Sequence, residues 1–395
     1  MQKINFLFAV LFSLSTYHSF AQNGTTEKDS FTNQEFHNTH TPDFTIDGSQ
    51  KPIKNIILMI GDGMGLAHLS AAMYANNNSL TITNLQSCGM VKTQSKSNFI
   101  TDSAASGTAY ATGTKTKNGT LGLDAEGNRL KNIPETIIDL GFKSGIVTTD
   151  NLDGATPSAF FAHQPDRGMS KEIWEDIIHS PLAFFAAGSI DIFKAQSKKV
   201  QEGIKERFKI IENIEHINLL DFDKVGYLPP KKETASVNEN RGDFLPEATQ
   251  KAIEFLSNKS PNGFFLMVEG AKIDKSSHSR DFEGVVKEVL DFDRAVEKVI
   301  RFAEKDQNTL VIITADHETG ELSLRDGNIA EGMVKGHFSS NKHSSIMVPL
   351  FTYGPQSYLF TGTQENSDVG TKIIELFKNQ FFISKLLKKE VYSVN

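Results

Sequence analysis

Acidic and histidine side chains recur where short apolar runs of this chain end. Asp62 follows residues 55–60; Glu269, Asp274 and His278 follow 264–268; Asp316 and His317 follow 309–314; His343 lies just before 346–352. In open α/β sheets, ligands bind beyond the carboxyl ends of the strands. That many carboxylates gathered at one place would repel and raise one another's pKa unless positive charge sat among them. Divalent cations supply such charge. Asp, Glu and His without Cys are donors for zinc or magnesium rather than for a soft metal. The single cysteine, Cys88, allows neither a cysteine cluster nor an intrachain disulfide. Any one of these residues alone reads as an exposed loop acid or a satisfied core histidine. Their joint placement points to a metal centre.

The second feature is Thr101-Asp102-Ser103-Ala104-Ala105-Ser106-Gly107. A capping residue followed by small side chains predicts the start of a helix. Ser103 then sits at the helix N-terminus, where amide donors favour an anion. No Gly-x-Ser-x-Gly surrounds it, which disfavours an α/β-hydrolase elbow. Activation by a metal is the alternative, with the ionised serine held as a ligand. Taken by itself, Ser103 reads only as part of a helix cap.

The elements that must position these residues are legible as alternating patterns. Runs at 55–60, 145–149, 264–268, 309–314 and 346–352 are apolar and partly β-branched, which predicts buried strands. Helical signals lie between them: Asn132 as a cap with Pro134 and Gly141 marking start and end, an amphipathic 245–256, and helical spacing over 285–302. Strands alternating with helices predict an α/β fold, a largely parallel central sheet sandwiched by helices. The less regular 180–245 reads as a compact insertion in a single catalytic domain spanning 53–395.

Residues 1–21 have the form of a secretory signal peptide: Lys3, an apolar core over 6–12, and Ser19-Phe20-Ala21 as the cleavage site. They predict a periplasmic or secreted protein without a membrane anchor. Residues 22–52, rich in Asn, Thr, Ser and Gln, read as a flexible lead-in. The 395-residue chain carries a net charge of −7. That balance argues against nucleic acid as a specific partner.

Taken together, these residues resemble the alkaline phosphatase family. The matching stretches are IGDGMG (60–65), TDSAASGTAYATGTKTKNGTLG (101–122), ATPSAFFAHQPDR (155–167), MVEGAKIDKSSH (267–278), TADHETG (314–320) and KHSSIMVPLFTYGP (342–355), in the family's order. The resemblance implies hydrolysis of small phosphate monoesters through a phosphoserine on Ser103. It implies two zinc ions, one held by Asp274, His278 and His343, the other by Asp62, Asp316 and His317 and ionising Ser103. A third site, usually magnesium, would be formed by Asp62, Thr156 and Glu269. Arg167 would grip two phosphate oxygens, Asp102 would orient it, and Lys275 would reach phosphate through water. His337 competes with His343 as a ligand; the strand following at the family's distance favours His343. A homodimer is the assembly the resemblance allows.

One departure matters. Many members carry Asp or His two residues before Thr156, and this chain has Gly154. The neighbouring Asp153, on extended backbone, would face away. An aspartate at 154 is therefore expected to tighten the third site. A diesterase or sulfatase of the same superfamily, and a non-catalytic phosphate- or metal-binding protein, are the alternatives that the residues leave open.

Overall fold

The computed structural model describes residues 29–215 and 218–393, so the expected signal peptide lies outside the described residues. In chain order the strands are β1 (Ser30–Thr32), β2 (Asn55–Gly61), β3 (Ser87–Lys92), β4 (Lys143–Thr148), β5 (Phe184–Ala186), β6 (Lys209–Ile211), β7 (Val225–Tyr227) and β8 (Phe264–Gly270). They continue with β9 (Thr309–Thr314), β10 (Glu318–Thr319), β11 (Leu322–Asn328), β12 (Met333–Phe338), β13 (His343–Ser344), β14 (Val348–Tyr353) and β15 (Gly362–Glu365). Ten of them form one sheet in the order β15-β3-β14-β9-β2-β8-β4-β5-β7-β6. All neighbours in it are parallel except at β14, which runs antiparallel to both β3 and β9. The fold is therefore α/β with a mostly parallel central sheet.

The central strands β2, β8 and β9 are buried at every position. Their unbroken apolar runs reflect helices covering both faces of the sheet. One packed group comprises helices Leu66–Ala75, Phe244–Lys259, Lys272–His278 and Phe282–Asp306; another comprises Ser103–Thr112, Ile133–Ile138, Ala155–Ser158 and Asn366–Ser393. Asn132 caps its helix in a reciprocal box with Glu135. Gly141 beyond the helix adopts φ +84°, which glycine reaches without strain. The helix predicted over 285–302 runs from Phe282 to Asp306.

Three expectations need amendment. The strand predicted over 346–352 begins two residues later, because Ile346 and Met347 lie exposed on the rim before the chain enters the sheet. The span 180–245 does not stand apart from the domain: β5, β7 and β6 lengthen the central sheet at one edge. Residues 29–52, expected to be flexible, are fixed to the domain. Here β1 pairs with β12, Phe31 and Ile46 are buried, and His37 and His40 bond Asp293 and Glu304 on the helix Phe282–Asp306. A polar composition hid this because the anchoring is by hydrogen bonds rather than an apolar stripe.

Asp293 is the hub of that anchoring. Fully buried, it accepts from Thr81 N at 3.0 Å, Ile82 N at 2.9 Å and His37 Nε2 at 3.0 Å. Removing it strands buried donors, each costing about 1–3 kcal/mol. Asp293→Ala is expected to lower the unfolding free energy by about 3 kcal/mol, read from urea melts; a loss below about 1 kcal/mol would show that this carboxylate does not hold the segment.

Candidate active site

Strand direction gathers the chemistry. Ile60 of β2 pairs with Glu269 of β8 and Thr314 of β9, and Glu269 pairs with Thr148 of β4, so these strands end level with one another. Asp62, Glu269, Asp274, Asp316 and His317 follow at that common edge. His343 precedes β14, and because β14 is reversed its beginning falls at the same edge.

Two groups of donors form there. Asp62, Asp316 and His317 each offer one atom, all within 4.8 Å of one another, and so do Asp274, His317 and His343. His317 belongs to both. His278 joins the second group, its Nε2 lying 3.1 Å from His343 Nε2 and 3.2 Å from Asp274 Oδ2. His337, on β12 opposite Ser323, belongs to neither group. Buried Asp62 Oδ1, Asp316 Oδ2 and Thr156 Oγ1 have no hydrogen-bond partner. Orphaned buried oxygens of this kind fit a cation. Mixed nitrogen and oxygen donors suit zinc, whereas Thr156 and Glu269 offer only oxygen, as magnesium prefers.

The turns holding these donors are tightly specified. Gly63 has φ +73°, and a Cβ there would lie 2.8 Å from Thr319 Oγ1 and 3.0 Å from Asp274 Cα. Gly63 N donates to Asp316 Oδ1 at 3.0 Å. Thr319 Oγ1 bonds Asp274 and also His317 Nδ1 at 3.2 Å, locking the ligand turn after β9 to the helix after β8. Buried Glu318 accepts from Ser344, beside His343. Tyr110 OH donates to Ala315 O at 2.8 Å and Ser106 Oγ to Asp316 O at 2.7 Å, which fastens that turn to the serine helix.

Ser103 occupies the first position of the helix Ser103–Thr112, 4% exposed, with Oγ 3.2 Å from His317 Nε2. Asp102 is the N-cap. It accepts from Ala105 N through Oδ1, and from Gly119 N at 2.9 Å through Oδ2. The same Oδ2 faces Arg167 Nη1 at 3.5 Å. The half-exposed guanidinium of Arg167 thus pairs with Asp102 and not with the adjacent Asp166. His68 is a structural residue, fully buried and bonded to Ser277.

Electrostatics follow from crowding. Burial, and then Asp316, Asp274 and Glu269, push Asp62 well above the carboxylate range. Burial and the charge of Asp150 push Glu269 up to about 8, against a bond from Thr148. The hydrogen bond with Asp274 pulls His278 up to about 9, while burial and the proximity of His317 push His343 down to about 4.

The third-site region departs from expectation. Residue 154 caps the helix Ala155–Ser158 at the end of a turn, not on an extended strand, and Asp153 faces away to accept from Ser170. A Cβ at Gly154 would lie 2.6 Å from Asp150 Oδ2, so an aspartate there meets an existing carboxylate instead of an empty space. Asp150 also bonds Lys275. Sequence reasoning missed Asp150, although it too follows an apolar run, 145–149. It also missed Thr319 and Thr148, whose hydroxyls carry no signal in a single sequence.

Comparison with known proteins agrees with this geometry. The model of the alkaline phosphatase family matches residues 53–195 and 232–337, more than half the chain. Alkaline phosphatase of Escherichia coli K12 is 31% identical over 405 residues, covering 81% of this chain and 85% of that protein. The structure of alkaline phosphatase from the Antarctic bacterium TAB5 superposes with a TM-score of 0.78 at 35% identity, over 84% of this chain and 99% of that one. A TAB5 mutant with magnesium bound in its M3 site superposes with a TM-score of 0.77 at 34% identity, with the same coverage. Fold and site thus define a hydrolase of phosphoric monoesters. The chain belongs to the alkaline phosphatase family.

The shifted groups make the metal-stripped protein sensitive to pH. Folded Glu269 keeps its proton to about pH 8, while an unfolded glutamate loses it near 4.5, so stability falls as pH rises between those values. His278, raised from 6.5 to about 9, adds stability below 6.5 that is lost as pH climbs through 9. His343, lowered to about 4, titrates below that window. Chelator-treated protein is expected to melt at a lower temperature at pH 9 than at 6.5. Zinc and magnesium, which bind deprotonated ligands, should remove that slope. A flat or rising melting temperature for the stripped protein would contradict this account.

Proposed function

We propose that this chain hydrolyses phosphate monoesters by way of a phosphoserine on Ser103, with two zinc ions and one magnesium. The observation that carries the reading is Ser103 Oγ at a helix N-terminus, 3.2 Å from His317, the residue common to both donor groups. Asp274, His278 and His343 would hold one zinc; Asp62, Asp316 and His317 the other; Asp62, Thr156 and Glu269 the magnesium. When bound, such ions neutralise the buried carboxylates, favour an ionised serine oxygen and stabilise charge on a transferring phosphoryl group.

Ser103 Oγ forms the bond to phosphorus as the ester P–O bond breaks; the alcohol oxygen leaves with the electron pair and is protonated from solvent. Water then attacks the phosphoserine, releasing inorganic phosphate and restoring Ser103. Phosphoryl transfer is governed chiefly by positioning and electrostatics. Arg167 supplies both: its planar fork suits two non-bridging oxygens, and Asp102 holds it without consuming the whole fork. The helix N-terminus adds amide donors on the same side. Asp102 therefore serves helix and arginine together. Lys275 adds a positive charge to this edge.

The leader-like residues 1–21 support export. No described helix is long and apolar enough to cross a membrane.

Rates on an aryl phosphate monoester, a phosphate diester and a sulfate, with chelator and then metal add-back, test the reading. The monoester is expected to dominate and to depend on metal; preference for the diester or sulfate overturns it. Ser103→Ala should lower turnover by about a thousandfold or more while zinc content stays unchanged. Near-native turnover would remove Ser103 from its role. Arg167→Ala is expected to raise the inhibition constant for inorganic phosphate by about 10–100-fold, the size of a lost charge-assisted contact. An unchanged constant would dismiss Arg167 as the clamp.

A further inference from the structure

Asp150, in the turn after β4, is an acid for which the ligand sets above have no use. Its backbone is fixed on both sides. Its amide donates to Thr148 Oγ1 at 2.8 Å, and its carbonyl accepts from Gly188 N at 2.6 Å. A Cβ on Gly188 would lie 2.6 Å from Asn151 Cα, so the turn can sit there only beside a glycine. The carboxylate is fixed as well. Oδ1 accepts from Lys275 Nζ, and Oδ2 lies where a side chain at 154 would begin, 2.6 Å from that Cβ position. The Thr148 hydroxyl that accepts from Asp150 N donates in turn to Glu269. Asp150, Glu269 and Lys275 are therefore joined through one threonine and one ion pair. Close by in the chain, Thr156 Oγ1 is buried with no partner.

Resting on the third-site reading above, we propose that Asp150 is the positioning residue of that site. It supplies the outer negative charge for a magnesium-type cation held by Glu269 and Thr156, and it holds the Lys275 ammonium beside that cation. Gly154 is then a requirement, because a side chain at 154 displaces the Asp150 carboxylate. Outer partners of this kind alter metal affinity by about 10–100-fold.

The test is magnesium titration by calorimetry on the zinc-loaded protein, with the inhibition constant of inorganic phosphate as a second readout. Asp150→Ala and the isosteric Asp150→Asn are each expected to weaken magnesium about tenfold or more and to raise the phosphate constant. Their melting temperatures without magnesium should match wild type, which separates the effect from misfolding. Gly154→Asp alone should also weaken magnesium. In the Asp150→Ala background the same change should restore affinity, because the space has been vacated, and a merely structural role would give no such rescue. Glu269→Gln is the control and should abolish the site. Wild-type affinity in both Asp150 variants with loss in Glu269→Gln overturns the proposal and leaves the third site standing. Wild-type affinity in all three overturns the third-site reading and this proposal with it.

Discussion

Four carboxylates, Asp62, Glu269, Asp274 and Asp316, lie buried at one edge of a parallel sheet. Water cannot neutralise them there, and like charges in a low-dielectric setting disfavour joint ionisation. Burial and the neighbouring acids hold Asp62 and Glu269 well above their ordinary range. Protein donors satisfy part of the set: Gly63 N and His317 N serve Asp316, and Thr319 serves Asp274. Of the remaining oxygens, Asp62 Oδ1 has no hydrogen-bond partner, and Asp316 Oδ2 has only His317 Nε2 beside it at 3.1 Å. The surrounding architecture can be read as the means of holding that unfavourable arrangement in place, because a cation is bound well only by ligands that cannot relax away from it.

That demand explains why the local packing is so exacting. The serine helix is made of small residues so that it can lie close. A Cβ at Gly107 would stand 3.2 Å from the Cβ of Ala159, the C-cap of the helix Ala155–Ser158. Ser106 and Tyr110 of the same helix bond the backbone of the turn after β9, so Ser103 and the donor side chains are held by one unit. The arginine is tied in by the N-cap of that helix, Asp102. A single reversed strand, β14, brings His343 to an edge otherwise built from strand ends. Function here depends on topology first and on side-chain chemistry second.

Much of this was legible because it is written in residue type and period. Central strands buried on both faces must be continuous apolar runs, and the acids that follow them stand out against that background. The helix at 103 was visible in its cap and its small residues. Pieces held largely by hydrogen bonds, with only isolated apolar anchors such as Phe31 and Ile46, were not visible. Residues 29–52 look like a polar tail, and only the structure shows His37 meeting Asp293 and His40 meeting Glu304. Thr319 and Thr148 are ordinary threonines until their neighbours are known. The edge strands β5, β6 and β7 are three residues each, too short for a periodic signal.

Gly154 and Asp150 show how far a motif read column by column can mislead. Along the chain, an acid six residues before Thr156 and one two residues before it are different positions. The turn over 149–154 folds back, however, so that the carboxylate of Asp150 reaches the point where a side chain at 154 would start. A missing side chain at one position and a present one at the other then describe the same occupied volume. Lys275, which would otherwise extend an unpaired ammonium toward the site, is restrained by that same carboxylate. The pair leaves the cluster's net charge unchanged while fixing where the Lys275 ammonium lies.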